Sequence, residues 1–201
     1  MTTPRRRIDA RSLRGLAHPL RMAILEALEL DGPLTSTGLS ARLGESTGTI
    51  SWHLRLLAEH GYIEEEQERG TKRERWWRVP QVRTELNPAD FRDDPETSGA
   101  LKVYLTDLVE RYYDRVRRYV AEDWSGEWQH AASLSDWRDL KLTPEQLLAL
   151  NEELQATIER YTESALAETG AGAGADAASD GKDSRAMPVI VQLQSFPRRQ
   201  G

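Results

Sequence analysis

Residues 46–57 alternate apolar side chains with small or hydrogen-bonding ones. Ile50, Leu54 and Leu57 are four and three residues apart, which is the spacing of a buried stripe on a helix. The opposite face carries Thr47, Gly48, Ser51, Trp52 and Arg55. An α-helix fits the major groove of B-DNA, and side chains of this kind read base edges there. The face therefore predicts base contacts with DNA; the alternative is a plain surface helix, which more often carries Glu and Lys.

Short helices before this segment must position it. Ser46 provides a side-chain oxygen that can cap a helix over residues 46–60. Thr35 likewise caps a shorter helix, and only Gly44 and Glu45 separate the two, which is the close connection of a helix-turn-helix. Farther upstream, Pro19 suits the first turn of an amphipathic helix. The spacing therefore predicts three consecutive helices.

A β-hairpin is expected after the third helix. Gly61 ends that helix as a left-handed cap. Residues 62–68 and 73–79 then look like two strands joined by a basic turn at residues 69–72. Together, residues 62–79 form the wing of a winged helix.

Acidic residues lie beside this basic turn, since residues 64–68 include four glutamates. If residues 69–72 form the turn, Glu66 faces Arg75 and Glu68 faces Arg73. Such cross-strand pairs contribute roughly 0.2–1 kcal/mol each, and they partly neutralise the arginines. The alternative is a solvated charged edge, which is the default for an edge strand.

Four motifs in this order resemble those of ArsR-type winged helix-turn-helix transcriptional regulators. They are His-Pro-Leu-Arg at residues 18–21, Leu-Ser-Ala-Arg-Leu at 39–43, the segment 49–57, and Gly-Tyr-Ile at 61–63. The likeness covers roughly residues 10–80, and the remainder resembles a branch of that family with a longer C-terminal region. The resemblance implies a dimeric bacterial regulator, by family habit a repressor, that binds an inverted repeat in double-stranded promoter DNA.

Phosphate contacts are expected beside the base contacts, because phosphates position a protein while bases specify its site. The candidates are Arg21, Arg42, Thr49, His53, Lys72 and Arg73. For His53 the alternative is packing beside the apolar stripe.

The composition narrows the classes of protein. The chain has no cysteine, which excludes disulfides and thiol metal sites and fits a cytoplasmic protein. No apolar run approaches the ~20 residues of a membrane span. The arginines at residues 5–7 have no apolar core after them, so they are not a secretory signal; residues 1–9 are expected to be a flexible basic arm.

Charge is distributed unevenly along the chain. The net charge is −6, yet residues 1–80 carry 13 basic and 11 acidic side chains, a net charge of +2. Residues 81–201 carry a net charge of −8. This asymmetry indicates separate roles for the two halves, with the acidic half lying away from DNA.

The second half is expected to assemble the dimer. After a connector at residues 81–96, a helical region spans residues 97–168, and Thr143 with Gln146 forms a capping box at the start of its last helix. Two amphipathic helices cannot bury their stripes alone, so packing against a second copy is predicted. The predicted dimer residues are Leu101, Leu105, Leu108, Tyr112, Leu147, Leu150, Leu154 and Ile158.

Three of the six tryptophans lie between these helices: Trp124, Trp128 and Trp137. Indoles can line a pocket for an organic small-molecule effector. We favour the alternative, ordinary packing, because an aromatic cluster in a sequence is mostly core.

A flexible linker is expected at residues 169–186, which are rich in Gly and Ala. Residues 187–197 then alternate between apolar and polar side chains and lie between two prolines, which predicts a strand. Its expected partner is the segment 138–142, giving a small two-stranded sheet that ties the C-terminus back on the helical region.

Neither a metal site nor an enzyme is indicated. Some ArsR-type sensors bind metal through His and carboxylates of the C-terminal helix, but the matching helix here offers Asp107, Glu110 and Asp114 without a histidine. No phosphate-binding loop or nucleophile elbow occurs, and no cofactor is implied. The sequence thus predicts a mainly α (α+β) fold and a homodimeric DNA-binding regulator; the alternative is a winged-helix scaffold for protein interactions.

Overall fold

The computed structural model describes residues 5–67, 69, 74–170 and 187–198. The chain divides into two compact units, Met1–Glu122 and Asp123–Gly201, which are described separately here. The architecture is mainly helical with a small antiparallel sheet, as predicted from the sequence.

Unit 1 contains five helices and five short strands in the part of the chain that the structure describes. In chain order they are β1 (Arg5–Arg7), α1 (Ala10–Leu16), α2 (Pro19–Asp31), β2 (Leu34–Thr35), α3 (Ser36–Leu43), α4 (Thr47–Glu59), β3 (Glu64–Glu65), β4 (Trp76–Arg78), β5 (Arg83–Glu85), a 3-10 turn (Pro88–Phe91) and α5 (Pro95–Ala121). The expected connector at residues 81–96 therefore contains a strand and a 3-10 turn.

The predicted helix starts are confirmed by their caps. The Thr35 hydroxyl accepts from the Gly38 amide at 3.1 Å, and the Ser46 hydroxyl accepts from the Thr49 amide at 3.1 Å. At the other end of α4, Gly61 has a φ of 68°. The Tyr62 amide donates to the Leu57 carbonyl at 2.9 Å, which completes a glycine C-cap of the Schellman type.

The apolar stripe of α4 lies in the core of unit 1. Ile50, Leu54 and Leu57 are almost completely buried, as their spacing predicts. They share this core with residues from each of the three preceding helices: Leu13 of α1, Ile24 of α2 and Leu39 of α3. The contact of α4 with all three helices fixes which of its faces is turned to solvent.

The wing register differs by one residue from the prediction. Glu64 lies opposite Arg78, and the Glu66 amide donates to the Trp76 carbonyl at 2.8 Å; Glu66 therefore does not face Arg75. A one-residue shift moves every side chain to the other face of a sheet. Trp77 is buried and pairs with Leu34 of β2, so burial of this indole decides the register. The expected pair Glu68–Arg73 lies outside the described residues.

Residues 5–7 form a strand, so the expected flexible arm is wrong at these positions. β1 pairs in parallel with β5. The Arg6 guanidinium donates to the carbonyls of His60 and Gly61 and lies 4.9 Å from the centre of the Tyr62 ring. These partners are more than 50 residues away in the chain, which is why the sequence pattern alone did not indicate them.

The long helix α5 begins two residues before the predicted start at Thr97, and one of its apolar residues belongs to the core. Leu101 is buried in the cluster that contains the stripe of α4. Its predicted role as a dimer contact is therefore wrong, because its own chain covers it. Leu105 packs partly on the same cluster, whereas Tyr113 is 56% exposed.

Unit 2 contains α6 (Gly126–Ala131) and α7 (Pro144–Gly170). The predicted capping box is confirmed, since the Gln146 amide donates to the Thr143 hydroxyl at 3.2 Å and the Thr143 amide donates to Oε1 of Gln146 at 2.9 Å. The expected strand pair is absent: residues 132–143 and 187–198 are not assigned to any strand. Alternation specifies an extended backbone, but a strand also needs a partner.

Among the described residues, no helix combines the length and the apolar character that crossing a membrane requires.

Replacing Gly61 by alanine is expected to lower the free energy of unfolding by about 1–2 kcal/mol, because an L side chain is strained at this positive φ. The added Cβ would also lie 3.0 Å from Nη1 of Arg6. Urea denaturation measures the change. In the control Gly99→Ala, where the Cβ meets nothing within 4 Å, the helix should gain up to about 1 kcal/mol. A Gly61→Ala variant as stable as the parent would contradict this account.

Candidate nucleic-acid interface

The outward face of α4 presents most of its predicted base-contacting residues to solvent. Thr47, Gly48 and Arg55 are exposed, and Ser51 is half-buried. Trp52 is 52% exposed, so a large apolar ring lies at the surface among polar groups. The structure thus brings all five predicted residues together on one helix face, opposite the core.

Helix α4 leaves room at its first turn. A Cβ built on Gly48 would meet only the Ser46 hydroxyl, at 3.8 Å. Nothing in the protein itself therefore requires glycine at this position, although glycine weakens a helix relative to alanine. The missing side chain leaves the backbone open to close approach from outside.

His53 packs against the indole of Trp52, and His18 packs against His53. The ring of His53 contacts that of Trp52 edge-on at 4.7 Å and that of His18 at 4.6 Å between centroids. His53 is only 3% exposed, so its predicted contact with a DNA phosphate is wrong, and the alternative interpretation as a packing residue holds. His18 also caps α2, because its Nδ1 accepts from the Leu20 amide at 3.1 Å.

Burial lowers the pKa of His53 below its ordinary value of 6.5, and the nearby His18 and Arg21 lower it further; Glu45 acts in the opposite direction. The imidazole of His53 is therefore neutral at neutral pH. A neutral ring packs against Trp52 without a buried charge.

The predicted phosphate-contacting residues differ in their exposure and in the partners they already have within the chain. Thr49 is half-buried, and its hydroxyl lies 2.8 Å from that of Ser46. Arg42 forms an ion pair with Asp31 of α2. Arg21 is half-buried: it donates to the Arg14 carbonyl at 3.3 Å, and burial lowers its pKa.

Lys72 and Arg73 lie outside the described residues.

In the described part of the wing, arginines form ion pairs with glutamates. Arg78 lies 2.7 Å from Glu64, and Arg75 lies 3.8 Å from Glu65. These side chains are between a third and three quarters exposed. Exposed pairs of this kind contribute about 0–1 kcal/mol, so an incoming phosphate can compete for the arginines.

An ion-pair network that the sequence did not reveal joins α2 to α5. Glu26 accepts from Arg111 at 2.7 Å and from Arg115 at 2.8 Å, and Arg111 also binds Asp107 at 2.6 Å. Burial raises the pKa of Glu26, but the hydrogen bonds from both arginines outweigh it and hold the pKa below its ordinary value. The one feature of this network that the amino-acid sequence indicates is the i, i+4 spacing of Asp107 and Arg111, which allows an ion pair on one helix.

The same network reaches the start of α2. The Arg111 guanidinium donates to the Pro19 carbonyl at 3.0 Å, next to the His18 ring that contacts His53. Two of the three carboxylates of α5 that the metal hypothesis considered form ion pairs with arginines: Asp107 with Arg111, and Asp114 with Arg117 at 2.7 Å. Among the described residues, no group of three or more metal-ligating side chains occurs.

In the part of unit 2 that the structure describes, none of the three tryptophans of the predicted effector pocket is buried. Trp137 is 77% exposed and lies in the segment 132–143, which belongs to no helix or strand. Trp124 and Trp128 are half-buried at and near α6.

Comparison with known proteins gives one family match: residues 16–66 match a family described as a helix-turn-helix domain. The matched region is about a quarter of the chain. It begins at the end of α1 and includes α2, α3, α4 and β3. No curated protein matches.

Several solved structures are similar to part of the chain. Reduced HlyU from Vibrio cholerae N16961 has 24% identity over 50% of this chain and 83% of its own, with a TM-score of 0.31. A possible transcriptional regulator for arsenical resistance has 25% identity over 57% and 97%, with a TM-score of 0.30. A MarR family regulator from Neisseria meningitidis has 16% identity over 75% and 79%, with a TM-score of 0.31. These TM-scores are too low to support a functional conclusion.

The His53 imidazole is expected to titrate below 6.5 in the folded protein. Because the unfolded chain then binds the proton more tightly, the free energy of unfolding should fall as the pH drops through about 6.5. NMR titration of the ring protons measures the pKa. The variant His18→Asn keeps a capping side chain but removes an imidazole that lowers the pKa of His53, so it should move that pKa upward. A His53 pKa at or above 6.5 in the parent protein would contradict the buried placement.

Proposed function

We propose that this chain, whose residues 16–66 match a family described as a helix-turn-helix domain, is a sequence-specific DNA-binding transcriptional regulator of the ArsR type that acts as a homodimer. The outward face of α4 is the observation that carries the proposal. Its polar side chains and half-exposed indole stand opposite a buried stripe, on a helix held by three others. A face of this kind fits the major groove.

In the proposed complex, α4 enters the major groove and its outward face contacts the bases. Arg55 has the donors to pair with guanine, and Trp52 offers an apolar surface to a thymine methyl group. Gly48 lets the backbone approach the base pairs closely. Thr47 and Ser51 supply hydroxyl groups, which accept or donate according to the base they meet.

Phosphate contacts would orient α4 in the groove. Thr49, Arg21 and Arg42 lie on or near the helix-turn-helix, and the wing at residues 62–79 would follow the flanking backbone with Lys72 and Arg73. His53 has a supporting role in this arrangement, because it holds the Trp52 ring rather than touching DNA. The Arg42–Asp31 pair must open or reorient for Arg42 to reach a phosphate.

The homodimer is proposed from the apolar residues that one chain leaves open on α5 and α7. Leu154 of α7 is exposed, as are Val109 and Val120 of α5. The remaining predicted residues, Leu108, Tyr112, Leu147, Leu150 and Ile158, are half-buried. A two-fold dimer places two copies of α4 one helical turn apart on an inverted repeat. The net charge of only +2 on residues 1–80 makes affinity depend on two domains binding together.

Repression, and its relief by a small-molecule effector, are proposed from the ArsR resemblance. The alternative function, a scaffold for protein interactions, is supported by the wing, where glutamates pair with Arg75 and Arg78 and compete with phosphate for them.

Selection of DNA separates the two functions. The purified protein should recover from the source genome fragments that share one inverted repeat, with half-sites about one helical turn apart. Recovery of fragments that share no motif, with binding that disappears as the salt concentration increases, would contradict the specific regulator and favour the scaffold function.

Replacing Arg55 by alanine is expected to cost about 1–3 kcal/mol of binding to the selected site and to relax base preference at one position of each half-site. Fluorescence anisotropy with the selected site and with single-base variants measures both effects. Arg160→Ala removes the same charge from α7 and should leave the base preference unchanged. Equal losses in the two variants would contradict a base contact by Arg55.

The Gly48→Ala variant separates folding from binding. Its free energy of unfolding should stay the same or rise by up to about 1 kcal/mol, since alanine favours helix and the space is free. Its affinity for the selected site should fall about tenfold or more, equivalent to about 1.4 kcal/mol, because the methyl group meets the DNA. Gly99→Ala is the matched control, with added helix stability and unchanged affinity. Undiminished DNA binding by Gly48→Ala would contradict close approach at this position.

A further inference from the structure

The N-terminal strand β1 contacts both ends of the wing. Its backbone pairs in parallel with β5, which follows β4 closely in the chain, and Arg6 lies opposite Thr84 in this pair. The Arg6 side chain reaches the other end of the wing. Its Nη1 donates to the Gly61 carbonyl at 2.9 Å, and its Nη2 donates to the His60 carbonyl. One short strand therefore meets the chain where it enters the wing and where it leaves it.

The guanidinium of Arg6 suits this position physically. The last carbonyls of a helix form the negative end of its dipole, and a planar guanidinium can donate to two of them at once. It also lies 4.9 Å from the centre of the Tyr62 ring, a cation–π contact. Gly61 leaves the space that the guanidinium occupies, since a Cβ there would lie 3.0 Å from Nη1. The side chain thus fits both the end of α4 and the start of the wing.

β1 is itself fixed to the body of unit 1. Ile8, directly after the strand, is 2% exposed and belongs to the same buried cluster as Trp77 of β4. The Ser12 hydroxyl of α1 accepts from Nη2 of Arg6 at 3.3 Å. The Arg7 guanidinium lies 2.6 Å from Asp90 of the 3-10 turn. With these attachments the strand can hold the wing in place rather than move with it.

The wing depends on such contacts because its own strand pairs are short. β3 pairs with β4 over two residue pairs, and β4 pairs with β2 over two, in the part of the chain that the structure describes. A hairpin of this size is only marginally stable in water. The exposed ion pairs of Arg75 and Arg78 add little to it. Contacts at the base of the wing therefore have a large share in setting its angle.

We propose that β1 holds the base of the wing and that Arg6 is a positioning residue for the contact of the wing with the DNA backbone. This inference rests on the proposed function and deepens it by naming the segment that sets the angle of the wing. The core fixes α4 independently, so Arg6 affects how firmly the wing meets phosphates and not which bases α4 reads. Arg6 acts through the wing and makes no phosphate contact of its own.

Distances between spin labels test the hold on the wing without DNA, because the chain contains no cysteine of its own. Labels at Leu30→Cys on α2 and Gln67→Cys in the wing occupy exposed positions. The variant Arg6→Met keeps the apolar stem of the side chain but removes its donors, so the Leu30–Gln67 distance distribution should broaden or shift. The distribution between Leu30→Cys and Arg55→Cys should stay unchanged, because the core holds α4.

Arg11→Met is the matched control for this measurement. It makes the same change of side chain in an exposed ion pair with Glu59, away from the base of the wing, and should leave both distributions unchanged. Arg6→Lys is measured alongside as the milder change. It keeps the charge but lacks the planar fork, so a smaller change in the same direction is expected.

Binding to the selected DNA site gives the second measurement. Arg6→Met should lower the affinity and make the dependence of log K on log salt shallower, by about one unit for each phosphate contact that the wing loses. The base preference should stay the same. In the background Lys72→Ala/Arg73→Ala, which removes the wing contacts of the proposed function, Arg6→Met should cause no further loss of affinity.

The outcomes separate this inference from the proposed function. Leu30–Gln67 distributions that are unchanged in Arg6→Met and Arg6→Lys overturn the hold on the wing, whether or not the protein binds DNA. Losses of affinity that add to those of Lys72→Ala/Arg73→Ala overturn the positioning role, because Arg6 would then contact DNA itself. A parent protein that selects no DNA site contradicts the proposed function, and the label distances still decide whether β1 holds the wing.

Discussion

Burial of one face of α4 is the constraint on which the rest of unit 1 depends. Ile50, Leu54 and Leu57 are enclosed by α1, α2 and α3. A helix whose buried face is determined on three sides has little freedom to rotate, so its opposite face is determined as well. Trp52 belongs to the outward face, and its contact with the buried His53 ties that face to the core.

The ion pairs of Glu26 extend this constraint to the long helix. Arg111 and Arg115 of α5 both bind Glu26 of α2, and Arg111 also reaches the carbonyl of Pro19. Removing one partner of such a largely buried pair leaves an uncompensated charge, at a cost of about 3–5 kcal/mol. These hydrogen bonds tie α5 to the start of α2. That end of α2 carries His18, whose ring contacts His53 of α4.

Electrostatics in unit 1 favours local contacts over a broad positive field. The chain as a whole is acidic, and the described wing arginines are paired with glutamates. These exposed pairs are weak. They orient Arg75 and Arg78, but either arginine can leave its glutamate at little cost in free energy. The proposed DNA binding would therefore depend on a good fit at α4 and on the two domains of the proposed dimer, since a net charge of +2 on residues 1–80 supplies little attraction on its own.

The amino-acid sequence by itself determined the features that arise within a few residues. The caps at Thr35, Ser46 and Gly61 and the stripe of α4 follow from hydrogen bonds and spacings inside one or two helical turns. The solvent-facing side of α4 followed as well, because it is the side opposite the stripe. Its five residues lie together in the structure as the spacing predicted.

Only the tertiary structure decided which distant segments meet. Trp77 sets the wing register through β2, some 40 residues earlier in the chain, and Arg6 finds its carbonyl partners at the end of α4. Leu101 belongs to the core rather than to a dimer surface for the same reason. The segments 138–142 and 187–197 show this limit most clearly. Alternating side chains specify an extended backbone, but the partner of a strand depends on which surfaces the folded chain leaves uncovered.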